Sequence, residues 1–256
     1  MALRMTIGLV LGTVLVLLSV KGRLLTLSGA LTAFLLLIDI LLLGGYAPTV
    51  YIVTVFLLSG LVGGLAKPKK KADKHPPRGV RQVAANGAAA GVCLLLYGLF
   101  GSIAFLVAYY AAVAEFFTDT LASDIGVHAK GRPFDIAKWR RTERGRSGGV
   151  SFLGTAASAV GALVCLLLAL GAGLSLPYAA IAATAAFLGM LIDSILGSLF
   201  QAKYICRSCG AYTEKPMHCG TAAEKTGGIV WINNSTVNLL SNILAALIAA
   251  LLALLL

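Results

Sequence analysis

The segment GSIAFLVAYYAAVAEFFTDTLASDIG, residues 101–126, decides how this chain folds. Its first half is apolar enough to lie in lipid, but three carboxylates, Glu115, Asp119 and Asp124, follow within ten residues. A charged side chain deep in a bilayer costs about 2.5–3.5 kcal/mol on insertion scales, and this is tolerated where it faces protein, water or a counter-ion. The segment therefore predicts a membrane helix that turns a polar face towards other helices.

Apolar runs of similar length recur along the whole chain. Of its 256 residues, 59% are hydrophobic and 12% are charged, which is too little charge for the surface of a soluble domain. The runs are continuous, unlike the short alternating segments of a membrane barrel, and predict an all-α, polytopic membrane bundle. We interpret residues 1–20 as a retained span because no small-residue cleavage site precedes a soluble domain. We place about eight spans, at residues 5–20, 24–43, 47–66, 82–98, 101–125, 150–170, 177–200 and 234–256.

The positive charges are concentrated in a few connecting loops. Of the 21 lysines and arginines, seven lie in residues 66–81, seven in residues 130–146 and four in residues 201–228. With eight spans these loops share one side, and the positive-inside rule makes that side cytoplasmic. Attraction to anionic lipid also accounts for part of this charge. Because no amphipathic targeting extension is present, we expect a prokaryotic plasma membrane.

These features divide the chain into three regions. Residues 1–66 form a three-span region, residues 67–81 a basic loop, and residues 82–256 a core of five spans that includes loops 127–149 and 201–229. Within the core, FFTDTLASD at 116–124 resembles MLIDSILGS at 190–198, which suggests a duplicated helical hairpin. Chance similarity between apolar segments is the alternative.

Polar side chains form stripes at helical spacing on the late spans. Asp193, Gly197 and Gln201 lie four residues apart, and Asn234, Asn238 and Asn242 do the same in the last span. Interhelical hydrogen bonding is the simple explanation for the asparagines. Residues 115–124 spread polar groups over half the helix circumference, which indicates either a face towards a wet cavity or a break near Leu121. Asp39 is alone in an apolar span, so structural pairing explains it as well as function does.

Three predicted helices begin on the basic side with glycines and small polar residues. The three starts are SGGVSFLGT, residues 147–155, after the arginine-rich loop; ANGAAAG, residues 85–91, after Arg78 and Arg81; and GGIVWINNS, residues 227–235, before the last span. A helix N-terminus offers free N–H groups and the positive end of a dipole, both suited to phosphate. Carboxylates near phosphate-binding groups are the arrangement in which Mg²⁺ bridges carboxylate and phosphate oxygens. Serine-histidine catalysis is poorly supported, because His75, His128 and His218 lie in loops without a partner set, and no Walker motif occurs.

The segment YICRSCGAYTEKPMHCG, residues 204–220, contains four potential metal ligands. Cys206 and Cys209 are separated by two residues, and His218 and Cys219 are adjacent. Thiolates and imidazole at this spacing suit a structural zinc ion. A redox pair, or neither role, remains open, and a cytoplasmic loop disfavours a stable disulfide. We expect such a knuckle to act as a lid or staple, remote from the chemistry.

Several of these strings together resemble the DUF92 / transmembrane protein 19 family, which includes the plant phytyl-phosphate kinase. An Ala-Asp-Thr-x-Ala-Ser-Glu-Ile-Gly string is matched within residues 117–126, with Asp124 in place of Glu. A Gly-Thr-x-Gly-Gly-Val-Ser string is matched at residues 145–151, with Arg146 in place of Thr. An Asp-Ser-x-x-Gly-x-x-x-Gln string is matched at residues 193–201. The likeness covers about residues 75–245.

The resemblance implies an enzyme that converts an isoprenoid monophosphate into its diphosphate with a nucleoside triphosphate, CTP being suspected. Mg²⁺ would be held by Asp119, Asp124 and Asp193, with Glu115 behind them. The expected partners are the nucleotide, a prenyl-phosphate lipid and the bilayer, with no nucleic acid. The residues expected to bind phosphate and substrate are Arg81, Gln82, Asn86, Gly87, Thr120, Ser123, Lys130, Arg144, Arg146, Gly148, Gly149, Ser151, Thr155, Ser194, Gln201, Asn234 and Asn238.

Two alternatives to this kinase stay open at the level of sequence. A transporter or flippase for a phosphorylated solute would also need intramembrane carboxylates and a repeat. A CTP-dependent lipid nucleotidyltransferase would need nearly the same residues as the kinase. Depth distinguishes the transporter from the kinase, since a carrier site lies near the membrane midplane, whereas these carboxylates lie late in their spans. Release of pyrophosphate would distinguish the nucleotidyltransferase from the kinase.

Overall fold

A computed structural model describes residues 2–66 and 77–256, and the described chain is a bundle of eight α-helices. The seven helices from the second onwards are long and apolar enough to cross a bilayer, and the first is apolar from Gly8 to Lys21. The predicted helical membrane fold is confirmed, while the lysine-rich part of the basic loop, residues 67–76, lies outside the described residues. The helices are α1 (Ala2–Lys21), α2 (Leu27–Gly44), α3 (Tyr46–Leu65), α4 (Val80–Phe100), α5 (Ile103–Gly126), α6 (Phe152–Gly171), α7 (Leu176–Leu199) and α8 (Asn234–Ala253).

Helix α5, which carries the three carboxylates, lies at the centre of the bundle. It packs against α3, α4, α6, α7 and α8. Of its most apolar stretch 72% is buried, whereas no other candidate span exceeds 39%. The helix continues without a break through Leu121 to Gly126, so the wide polar surface inferred from the sequence is a face in contact with other helices.

One face of the bundle brings together the loops and the polar helix ends, and we call it the loop face. The C-terminal ends of α5 and α7 lie there, together with the N-terminal ends of α6 and α8. Gly126 approaches Gly154 across α5 and α6, and Gln201 pairs with Ile229 before α8. Leu25 pairs with Arg78, which also brings the starts of α2 and α4 to this face.

The two long loops contain short antiparallel strands that the all-α prediction did not include. The arginine-rich loop forms a sheet of order β2-β1-β3, and the cysteine-rich loop forms a sheet of order β5-β4-β8 and a β6-β7 hairpin. A strand of two to four residues has too few side chains to show an alternating pattern in sequence. The strands are β1 (Phe134–Asp135), β2 (Arg140–Arg141), β3 (Gly149–Val150), β4 (Lys203–Ile205), β5 (Tyr212–Thr213), β6 (Met217–His218), β7 (Thr221–Ala222) and β8 (Glu224–Gly227).

Asp135 fastens the arginine-rich loop to the end of α7. Its carboxylate is buried and accepts hydrogen bonds of 2.7–2.8 Å from the Ser198 hydroxyl. Burial raises the pKa of Asp135, but hydrogen bonds from Ser198 and from the backbone N–H groups of Lys138 and Ala137 outweigh it and hold the pKa below its ordinary value. The ammonium groups of Lys138 and Lys203 both donate to the carbonyl of Ser198. The loop is therefore held against the membrane bundle by ionised groups.

Helices α5 and α6 approach each other closely through two glycines. A methyl group added to Gly154 would lie 2.6 Å from the carbonyl oxygen of Ala122 and 3.2 Å from the Cα of Gly126. Ser151 caps α6 by accepting from the N–H of Gly154 at 3.1 Å, and its hydroxyl donates to the carbonyl of Gly126 at 3.3 Å. Small residues let membrane helices pack at backbone contact, so this pair sets the position of the start of α6.

Cys93, Cys165 and Asp39, which the sequence analysis did not assign to the site, lie within the helical bundle. Cys93 and Cys165 are both buried in the helical core, as expected of packing residues. Asp39 faces α4, where a methyl group added to Gly91 would lie 3.1 Å from its Oδ2. Asp39 thus offers a carboxylate of the same chemistry at a different place in the bundle.

We expect Gly154→Ala to destabilise the protein more than Gly171→Ala. Both changes add one methyl group to α6 and gain similar helix propensity, but nothing lies within 4 Å of the added group at Gly171. Overpacking against rigid backbone costs about 1–3 kcal/mol. Thermal unfolding of the two variants in the same detergent measures the difference. Equal unfolding temperatures would contradict the close α5–α6 contact.

Candidate functional site

A polar cavity of about 340 Å³ opens at the loop face between α5, α6 and α7. Its walls come from the last turns of α5 and α7, the first turn of α6, the arginine-rich loop, the start of α8 and one residue of the cysteine-rich loop. Twelve of the residues selected from the sequence line it. They are Asp119, Ser123, Arg144, Arg146, Gly148, Gly149, Ser151, Thr155, Asp193, Ser194, Gln201 and Asn234.

Two carboxylates from different helices face this cavity. Asp119 of α5 and Asp193 of α7 both line the wall, and their charges interact. The Ser241 hydroxyl of α8 donates to Oδ2 of Asp193 at 3.1 Å, which leaves the rest of this carboxylate towards the cavity. The convergence of acidic groups from α5 and α7, inferred from sequence, is therefore present.

Glu115 lies one helical turn deeper than Asp119 and is 2% exposed. Its Oε2 accepts from the Nδ2 of Asn242 at 2.8 Å, and the same amide donates to the carbonyl of Ala112 at 2.7 Å. Among the described residues, Oε1 of Glu115 and Oδ1 of Asn242 have no hydrogen-bond donor. Glu115 therefore stands behind the cavity carboxylates, as the sequence predicted, and two buried oxygen atoms are left for a donor or a cation.

Glycines allow the arginine-rich loop to lie directly on α7. Gly148 has a φ of +83°, and a methyl group there would lie 2.6 Å from the carbonyl oxygen of Ser194. Arg144 donates from Nε to the carbonyl of Gly131 at 2.9 Å, so its guanidinium is held at the cavity edge. A side chain at Gly148 would push the loop away from α7 and widen the cavity.

Gln201 places a buried amide at the floor of the cavity. The side chain is 2% exposed, and Nε2 has no hydrogen-bond acceptor in the part of the chain that the structure describes. An unsatisfied buried N–H group costs about 1–3 kcal/mol, so it is typical of a site that a ligand completes. A phosphate oxygen would supply the missing acceptor.

The cysteine-rich loop contributes Glu214 to the cavity wall, which the sequence analysis missed. The Glu214 carboxylate accepts a hydrogen bond from Ser147, and the Tyr212 hydroxyl lies 3.3 Å from the same serine hydroxyl. The guanidinium of Arg146 lies 5.2 Å from the centre of the Tyr212 ring and pairs with Glu143 at 2.8 Å. The expectation that this loop is remote from the cavity is wrong, because strand β5 folds back onto the arginine-rich loop. The sequence offered little signal for this, because Glu214 is one of two glutamates, with Glu224, in a loop that also carries four basic residues.

Seven of the residues predicted to bind phosphate or substrate lie outside the wall of the polar cavity: Arg81, Gln82, Asn86, Gly87, Thr120, Lys130 and Asn238. Arg81 and Gln82 are exposed on the first turn of α4, and Lys130 is exposed in the arginine-rich loop. Thr120 is buried and donates its hydroxyl to the carbonyl of Phe116 at 2.8 Å, as an ordinary helix side chain does. Thr120 and Asp119 are neighbours on α5, so their side chains point about 100° apart around the helix, and only Asp119 faces the cavity.

Asp124 is also turned away from the polar cavity, contrary to its predicted place beside Asp119 and Asp193. Its Oδ2 lies where a methyl group on Gly63 of α3 would be 3.2 Å away. The negative charge of Asp124 stabilises the protonated form of Arg78. Five residues separate Asp124 from Asp119, which places the two carboxylates about 140° apart around α5.

Arg78 lies close to α3 and α5, where it contacts Ser59 and Phe116. Its guanidinium lies 5.1 Å from the centre of the Phe116 ring and 3.5 Å from the Ser59 hydroxyl. Burial lowers the pKa of Arg78, and the charges of Asp124 and Asp119 oppose that shift. Arginine stays protonated under such conditions, so a positive charge is held inside the bundle.

Arg78 and Asn86 mark one end of a second, apolar cavity of about 120 Å³ between α1, α2, α3, α4 and α5. Most of its lining is aliphatic or aromatic, and Gly87 also lies in this wall. Asn86 accepts from Asn238 at 3.4 Å, and Asn238 accepts from Asn234 at 3.1 Å. Since Asn234 lines the polar cavity, a chain of asparagines connects the two cavities.

Comparison with known proteins agrees with this architecture. The family described as Integral membrane protein DUF92 matches residues 10–246. An uncharacterized membrane protein of Methanocaldococcus jannaschii is 25% identical over 232 residues, which cover 90% of this chain and 94% of that protein. No solved structure matches the chain. The family match extends from α1 into α8 and so includes the helices around both cavities: the chain belongs to the DUF92 family of integral membrane proteins.

Proposed function

We propose that this protein is a membrane-embedded lipid-phosphate kinase that transfers phosphate from a nucleoside triphosphate to an isoprenoid monophosphate. The observation that carries the proposal is the pair of cavities. One is polar and lined by carboxylates, arginines and a glycine-rich loop, and the other is apolar with Arg78 at its end. Transfer between a water-soluble donor and a lipid acceptor needs both kinds of surface.

The polar cavity suits the phosphates of the donor. Arg144, Arg146 and the amide of Gln201 offer N–H groups to phosphate oxygens, and the start of α6 adds the positive end of its dipole. The volume of about 340 Å³ lies within the usual range of about 300–1,000 Å³ for small-molecule sites. The donor would enter from the loop face, and CTP or ATP fits this chemistry equally.

The acidic groups of the cavity fit a magnesium ion. Mg²⁺ prefers oxygen ligands and is usually bound by one or two carboxylates together with substrate phosphates. Asp119 and Asp193 supply two carboxylates from separate helices, and Glu115 keeps a buried oxygen without a donor behind them within the described chain. Asp119 and Asp193 would hold the ion, which would supply neutralisation of phosphate charge.

The apolar cavity suits the first part of a prenyl chain. Its volume of about 120 Å³ is below the range of about 300–1,000 Å³ typical of whole ligands, so the remaining chain would extend between helices into lipid. Arg78 and Asn86 in its lining would bind the acceptor phosphate, and the charges of both Asp124 and Asp119 act on Arg78. The asparagine chain from Asn86 to Asn234 would then follow the path from acceptor to donor.

In this reaction the protein itself forms no covalent bond with the substrates. An oxygen of the acceptor phosphate forms a bond to the terminal phosphorus of the nucleotide, and the bond to the bridging oxygen breaks, so the nucleoside diphosphate leaves. The acceptor oxygen is already anionic and needs no general base, which agrees with a cavity lining that contains no histidine among the described residues. Positioning and neutralisation of charge are the main sources of rate in phosphoryl transfer.

The position of the carboxylates favours chemistry at the membrane surface over transport. Asp119 lies seven residues before the end of α5, and Asp193 lies six before the end of α7. At about 1.5 Å per residue, both lie about 10 Å below the loop face, whereas a carrier site would lie near the midplane. A nucleotidyltransferase remains the second candidate, and it would release pyrophosphate where the kinase releases a nucleoside diphosphate. The basic loops favour a cytoplasmic loop face.

We expect Asp119→Asn and Asp193→Asn each to lower kcat at least about 100-fold, because charge stabilisation of this kind is typically worth that much. The measurement is phosphate transfer from labelled CTP or ATP to a prenyl monophosphate by purified protein with Mg²⁺. Asp39→Asn is the matched control and should keep its activity, since Asp39 faces α4 at Gly91. Unchanged rates in both cavity variants would remove the assigned site.

Filling the apolar cavity should weaken binding of long-chain acceptors selectively. Ala33 lines this cavity, whereas Leu35 on the same helix is 68% exposed towards lipid. We expect Ala33→Phe to raise KM for a long-chain prenyl monophosphate about tenfold, equivalent to about 1.4 kcal/mol, with little effect on a one-unit acceptor. Leu35→Phe should leave both values unchanged. If Ala33→Phe and Leu35→Phe behave alike, the tail binds elsewhere.

A further inference from the structure

The cysteine-rich loop brings four metal-ligating side chains to one point. The sulfur atoms of Cys206, Cys209 and Cys219 and a ring nitrogen of His218 all lie within 4.8 Å of one another. Sequence spacing alone left zinc, a redox pair and neither role open. The distances between these atoms bear on that choice.

Three of the separations match the edges of a zinc tetrahedron. The Cys209 and Cys219 sulfurs are 3.7 Å apart, and they lie 3.6 Å and 3.3 Å from Nδ1 of His218. With Zn–S of about 2.3 Å and Zn–N of about 2.0–2.1 Å, tetrahedral geometry requires about 3.8 Å between sulfurs and about 3.5 Å between sulfur and nitrogen. A disulfide would instead need sulfurs about 2.05 Å apart.

Two tight turns present these ligands from opposite sides. In the first, Gly210 donates its N–H to the carbonyl of Cys206 at 2.9 Å, and Gly210 has a φ of +68°. The second is the β6-β7 turn, where Cys219 and Gly220 have φ values of +51° and +73°. A non-glycine residue in the left-handed region is uncommon and marks a geometry that the surroundings impose. Cys219 therefore takes a backbone conformation that turns its sulfur towards Cys209.

The Cys206 sulfur lies on the inner side of the cluster. Its side chain is buried, and the sulfur lies 3.7 Å from the carbonyl oxygen of His218. The burial of Cys206 leaves Cys209 and Cys219 on the exposed side of the cluster.

We propose that Cys206, Cys209, His218 and Cys219 bind one structural zinc ion. Four protein ligands complete the tetrahedral shell and leave no open position, so the site is structural and not catalytic. It is separate from the proposed magnesium site, whose ligands are carboxylates of α5 and α7.

The zinc ion would fix the segment that reaches the polar cavity. Glu214 and Tyr212 lie between the two ligand turns, and both contact Ser147 of the arginine-rich loop. Binding energy of a structural metal is folding energy for the segment that it closes. Loss of the ion would therefore loosen the contact between the two loops without removing any cavity carboxylate.

Metal analysis of the purified full-length protein tests this proposal without any activity assay. We expect about one zinc per chain, retained after desalting, and a thiolate-to-cobalt charge-transfer band after replacement with Co²⁺. Cys209→Ser and His218→Ala should lose the ion, whereas Cys93→Ser, a change in the helical core, should retain it. Zinc content unaffected by the ligand variants would overturn the assignment.

Thiol alkylation of the unmodified protein avoids any effect of the variants on folding. Cys209 and Cys219 are exposed, yet they should react slowly with iodoacetamide until a chelator is added, and zinc should restore their protection. Rapid alkylation that is insensitive to chelator, or a Cys209–Cys219 disulfide found by mass spectrometry, would contradict a zinc site. Either result would leave the proposed kinase untouched, because its site residues are different.

Discussion

Burial of the acidic face of α5 is the constraint on which the rest of the structure depends. A helix that is surrounded by five others and carries Glu115, Asp119 and Asp124 has to meet each carboxylate with a partner or with water. Asn242 donates a hydrogen bond to Glu115, Asp119 faces the polar cavity, and Asp124 lies near the charge of Arg78. Glu115 and Asp119 share one face of α5, whereas Asp124 lies about 140° from Asp119, so the polar cavity and the charge of Arg78 lie on different sides of the helix.

The loops have a structural role that follows from the same constraint. A polar cavity at a helix end stays open to water unless something shapes its entrance, and here two loops do so. The arginine-rich loop is held on α7 by Asp135 and by the close approach of Gly148. The cysteine-rich loop closes over it through Tyr212 and Glu214. The connecting loops thus become walls of the polar cavity.

Much of this arrangement could be predicted from the sequence. Continuous apolar runs predict the helices, and a four-residue spacing predicts that Asp193 and Gln201 share a face with Gly197 between them. What the sequence could not predict is the rotation of α5. Polar residues spread over half of a helix do not indicate which of them faces which neighbour. The sequence analysis therefore grouped Asp119 with Asp124, although Asp124 faces α3 and Asp119 faces the cavity.

Tertiary contacts also explain why Arg78 and Glu214 were missed or undervalued. Arg78 belongs to a run of basic residues, and its backbone pairing with the segment just before α2, at Leu25, brings it to the bundle. Glu214 reaches the cavity because short strands reverse the chain after Cys209. Strands of two or three residues carry too little pattern to be recognised, so the contacts they create are visible only in three dimensions.

The central claim is that Asp119 and Asp193 form one divalent-cation site at the loop end of α5 and α7. Electron paramagnetic resonance of Mn²⁺ titrated into the detergent-solubilised protein tests it most directly. The account predicts one bound Mn²⁺ that Mg²⁺ displaces, lost in the Asp119→Asn/Asp193→Asn double variant and kept in Asp39→Asn. Equal Mn²⁺ binding by the double variant and the unmodified protein would contradict it.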